Sequence, residues 1–68
     1  MKMSYYEIGD LMVMILNING VYEYYLRDKI DTTDVFTFAF GIDVEFSEEE
    51  LQEREDYLWD CYDAINEN

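Results

Sequence analysis

Leu11-Met12-Val13-Met14-Ile15-Leu16-Asn17-Ile18-Asn19-Gly20-Val21-Tyr22-Glu23-Tyr24-Tyr25-Leu26-Arg27 is the stretch that decides the fold. Two runs rich in β-forming residues flank Asn19-Gly20. A type I′ hairpin turn needs positive φ at both central positions, and Asn and Gly adopt it most readily. The reading is an antiparallel hairpin with strands at about 11–18 and 21–27. In that register Ile18 faces Val21, Leu16 faces Glu23 and Met14 faces Tyr25. The opposite face pairs Ile15 with Tyr24 and Val13 with Leu26.

Downstream, Asp28 to Asp34 is polar and reads as a loop. The even positions Phe36, Phe38, Phe40, Ile42, Val44 and Phe46 are all apolar, which argues for a strand at about 35–46 with one buried aromatic face. A short helix from Thr33 to Gly41 is the rival, and the strand is favoured. Ser47 with Glu50 matches a capping box, and Glu48 and Glu49 suit the positive end of a helix dipole. Leu51, Leu58, Cys61, Tyr62 and Ile65 then recur at helical spacing and predict a helix at about 48–66. Upstream, Ser4 and Glu7 fit a second capping box that Gly9 would end, so a short N-terminal helical turn is expected. The expected fold is α+β: one domain, 1–68, with a three-stranded antiparallel sheet packed by a C-terminal helix.

The first strand is apolar on both faces, and one helix covers only one of them. Either Tyr5, Tyr6 and Ile8 cover the second face, or it meets another chain, a homodimer partner or a target. Met12, Met14 and Tyr25 are the candidates for that apolar interface.

The 68 residues carry 17 acids, 4 bases and no His, a formal charge of -13, yet 50% of them are hydrophobic. Disorder needs low hydrophobicity as well as high charge, so a folded domain is expected. Four cations make no basic patch for nucleic acid or an anionic membrane surface. No apolar run approaches the ~20 residues that span a bilayer, and the N-terminal residues lack the pattern of a signal peptide. A lone Cys61 cannot staple the fold internally, which points to the cytoplasm.

Residues 43–68 hold eleven of the acids and one base. Glu49, Glu53, Asp56, Asp60, Asp63 and Glu67 step by four, three, four, three and four, which aligns six carboxylates on one helix face. They span about 27 Å at the helical rise, with neighbours about 5 Å apart. A line of anions at that pitch suits a groove built for a phosphate backbone. The plain alternative is a solvated face. Such a face normally mixes Glu with Lys, whereas here like charges oppose each other and Asp60, Asp63 and Glu67 lie toward the unfavourable end of the dipole.

Catalysis has little to work with. No His serves as a base, and Cys61 on an apolar stripe among acids reads as an inert thiol. Asp28, Asp31 and Asp34 lack the EF-hand pattern, so neither metal nor cofactor is expected.

In size, charge and the acid-faced segment Ser47 to Glu67, the chain resembles small phage-encoded DNA mimics such as anti-CRISPR proteins, restriction inhibitors and uracil-glycosylase inhibitors. That resemblance implies a host-cytosol protein without enzymatic activity. Its partner would be a protein with a basic nucleic-acid-binding groove, and it would touch neither nucleic acid nor membrane. Two alternatives stay open: an immunity protein or antitoxin that neutralises a basic nuclease or toxin, and a small oligomeric assembly protein.

Overall fold

The computed structural model describes residues 2–67. Four strands form one antiparallel sheet in the order β1-β2-β3-β4: β1 Lys2–Ile8, β2 Leu11–Ile18, β3 Val21–Asp28 and β4 Thr37–Ile42. Two helices follow, α1 Glu48–Glu53 and α2 Glu55–Asn66. The fold is α+β as expected, with one more strand and one more helix. No helix among the described residues is long and apolar enough to cross a membrane.

The central hairpin follows its sequence. Asn19 and Gly20 take φ of 54° and 83°, and β2 pairs with β3 from Ile18↔Val21 to Leu11↔Asp28 in the expected register. The N-terminal segment is a strand and not a helical turn. Gly9, at φ 60°, opens a two-residue turn that returns the chain from Ile8 to Leu11. Seven residues are too few for a stable isolated helix, and β1 instead satisfies the free edge of β2. A Cβ on Gly9 would lie 2.5 Å from the Glu55 carboxylate, so both conformation and space favour glycine there.

The third expected strand is shorter, 37–42, and its even residues do not share one face. The ladder shifts register between Tyr24 and Tyr25, so that Tyr24 faces Phe40 while Tyr25 faces Phe38. Ala39 is the extra residue of this bulge, and a bulge redirects the side chains on either side of it. Phe40 and Ile42 therefore pack against the core, while Phe38 points to the other face and is 49% exposed.

The helix expected at 48–66 is interrupted at Arg54, whose φ of -106° and ψ of 17° lie outside helical values. Sequence gives no hint of this, since Arg is a good helix former. Packing supplies the reason: α1 lies against β1, and α2 lies across β3 and β4. The Arg54 N–H donates to the Leu51 carbonyl at 3.0 Å and its guanidinium to the Glu50 carbonyl at 3.1 Å, which satisfies acceptors the break leaves free.

Ile8, Leu11, Val13, Ile15, Tyr24, Leu26, Leu51 and Leu58 form the core between sheet and helices. The buried Tyr24 hydroxyl donates to the Val44 carbonyl at 2.7 Å and accepts from the Phe46 N–H at 2.8 Å. It thereby fixes the connection that delivers the chain from β4 to α1.

Candidate functional site: an acidic helical layer and an open sheet face

Ser47 sets the first half of the acidic layer. Its hydroxyl accepts from the Glu50 N–H at 3.2 Å and Glu50 returns the bond to the Ser47 N–H at 3.0 Å, completing the expected capping box. That bond holds the Glu50 carboxyl below its usual range. Glu49 and Glu53 lie on α1, Asp56, Asp60 and Asp63 on α2, and Glu67 caps the C-terminus of α2. All six are exposed. The break at Arg54 divides the expected single line into two runs.

Little positive charge answers these anions. Arg54 approaches Glu53 only at 4.0 Å, and its guanidinium lies 4.5 Å over the Phe46 ring. Lys29 pairs with Glu7 at 2.6 Å, far along the chain from the helices. Arg27 donates to the carbonyls of Asp34 and Asp31. Beside the break, Phe40, Ile42, Phe46, Arg54 and Tyr57 line an open apolar cleft of about 380 Å³. Sequence reasoning did not find it, because its walls come from β4, the connection after it, the break at Arg54 and α2.

The Asp28-Asp31-Asp34 loop spends its carboxylates on its own backbone. Asp28 accepts from the Ile30 N–H, and Asp31 from the N–H and hydroxyl of Thr33. Asp34 accepts from the N–H groups of Asp28 and Val35 and from the Tyr62 hydroxyl. That last bond holds the Asp34 carboxyl below its usual range and pushes the Tyr62 phenol up to about 12. Among the described residues, no group of three or more His, Cys, Asp or Glu is placed to hold a metal ion. Cys61 is a free, half-buried thiol beside the core.

The other face of the sheet has no helix. Its middle row runs Tyr5, Met14, Tyr25 and Phe38 across all four strands, flanked by Met3, Leu16, Glu23 and Gly41 on one side and Glu7, Met12 and Arg27 on the other. The expected interface residues Met12, Met14 and Tyr25 thus share this face. Tyr5 and Tyr6 do not fold over it: Tyr6 points into the core side, while Tyr5 joins the open face at 55% exposure. Phe36 reaches Tyr5 with ring centroids 6.0 Å apart, and Phe38 meets Tyr25 edge-on at 5.6 Å.

Comparison with known protein families, curated proteins and solved structures finds no match to this chain.

Proposed function

We propose that this chain is a non-enzymatic inhibitor of the anti-CRISPR-like, DNA-mimic kind. It lays its acidic helical layer into the cationic nucleic-acid-binding groove of a host defence protein in the cytoplasm. The observation that carries this reading is the exposure of all six stripe carboxylates, which among the described residues meet one ion pair, at 4.0 Å. Like-charge neighbours on a helix cost about as much as opposite pairs gain, roughly 0.2–0.5 kcal/mol each. A small domain that keeps such neighbours has a use for the charge. The break at Arg54 suits a curved anionic surface better than a straight rod, because a nucleic-acid backbone also winds.

The test is capture of a partner from bacterial lysate, followed by competition with a labelled duplex for that partner. Replacing Glu53 by Gln and Asp56, Asp60 and Asp63 by Asn preserves size and polarity. Inhibition should fall at least tenfold, and inhibition by the parent should weaken between about 0.05 and 0.2 M salt. A quadruple variant that inhibits as well as the parent overturns the reading. A nuclease toxin as the captured protein would assign the same surface to an immunity function.

A further inference from the structure

We propose that the open sheet face is a self-association surface, on which two copies of this chain pack sheet to sheet with their helical layers outward. This rests on the sheet and stands independently of the acidic-groove reading. Met3, Tyr5 and Phe38 are 46%, 55% and 49% exposed on one contiguous face, beside the half-buried Met12, Met14, Leu16, Tyr25 and Phe36. Scattered apolar side chains are ordinary on a surface, but a contiguous sheet of them marks an interface.

Charge selects the occupant. Within a molecule of -13 this face is balanced. Glu7 is paired with Lys29, Glu23 accepts from the Tyr25 hydroxyl at 3.0 Å, and Arg27 lies across the row on loop carbonyls. A basic partner drawn to this protein finds its attraction on the helical side and nothing here. A second copy finds an apolar surface of the same kind. Sheet-on-sheet packing also separates the two acidic layers by two whole sheets. Sheets pack about 10 Å apart, beyond the ~8 Å decay length of charge interactions in physiological salt, so the repulsion that remains between the acidic layers is weak and falls further with added salt.

Size agrees. Four strands about 4.8 Å apart and about 25 Å long give a footprint of roughly 500 Å² before side-chain relief. Two such faces bury on the order of 1,000 Å², which meets the threshold for a specific protein–protein interface.

Sedimentation equilibrium of the full chain tests this, from about 1 to 100 µM. The parent should approach twice 8.2 kDa, and association should tighten with added salt because both copies are anionic. Met14→Glu places a charge at the centre of the face. Phe38→Glu places one on the edge strand β4, at a half-exposed position outside the core, so the test survives if the first variant unfolds. Each variant that circular dichroism shows folded should associate on the order of 100-fold more weakly, since an unpaired carboxylate is then buried. The quadruple acid-stripe variant should remain dimeric. A parent that stays at 8.2 kDa throughout overturns the proposal, as does a dimer unaffected in a folded variant. A monomeric parent whose folded Phe38→Glu form loses a captured protein partner would give the face to that partner instead.

Discussion

Asp34 and Tyr62 show how much of this fold hangs on single side chains. One carboxylate joins the start of the 28–36 loop, the entry to β4 and α2, through two N–H groups and the Tyr62 hydroxyl. The bond favours ionised Asp34 and neutral Tyr62, so it has two pH edges. Asp34 titrates below the usual carboxylate value in the folded chain, so its contribution is complete above about 3.9 and fades as pH falls through that lowered value. Tyr62 is raised to about 12, so the contribution is complete below about 10 and fades as pH rises from there through about 12. Thermal melts of the parent and Tyr62→Phe should differ by about 1 kcal/mol on the plateau, after allowing for partial solvent exposure. The gap should close at both ends, and a gap independent of pH would show that charge plays no part in the bond. None of this was legible in the sequence. The partners are 28 residues apart, and no periodicity reports a loop carboxylate meeting a helix phenol.

At the scale of elements, what is local was readable and what depends on a distant neighbour was not. The hairpin needs only Asn19-Gly20 and the alternation around it, and its register came out residue for residue. The segment Lys2–Ile8 carries two local signals, a Ser4/Glu7 box and an alternation of Tyr6 and Ile8 with Met3, Tyr5 and Glu7. The unpaired edge of β2 decides between them. The bulge at Ala39 reflects pairing with Tyr24 and Tyr25, and it moves Phe38 to the open face. The capping box at Ser47 is local again and present in both halves. Ser47→Ala should therefore cost about 1 kcal/mol in urea unfolding. Because α1 is only six residues long and carries the buried Leu51, the loss should appear in the global transition and not as fraying alone. A cost near zero would mean that packing against β1 holds α1 without its cap.

The whole molecule sorts its chemistry by side: anions on the helical layer, a balanced apolar face on the sheet, a core between. The sequence made the two surfaces legible as lists of residues. It could not place them on opposite sides, because that follows from β1 adding to the sheet edge instead of folding beneath it. The same sorting predicts how stability answers to salt. Among the described residues, two ion pairs form, Lys29–Glu7 and the long Arg54–Glu53 contact; both are exposed, and screening removes what such pairs contribute. Against them stands self-repulsion in a chain of -13, sharpest where Asp60, Asp63 and Glu67 lie toward the negative end of the α2 dipole, while Asp56 sits in the favourable first turn. Repulsion acts over more partners than the two pairs do, so it should dominate. The screening length shrinks from about 10 Å at 0.1 M to about 3 Å at 1 M, and the melting midpoint should therefore rise by several degrees between about 0.05 and 0.5 M NaCl. Melts run near 1 µM keep self-association out of the slope. The quadruple stripe variant, with four fewer negative charges, should start higher at low salt and gain less from added salt. A midpoint that falls with salt in the parent would mean that the two exposed pairs outweigh the stripe, and the acidic layer would then carry no strain for a partner to relieve.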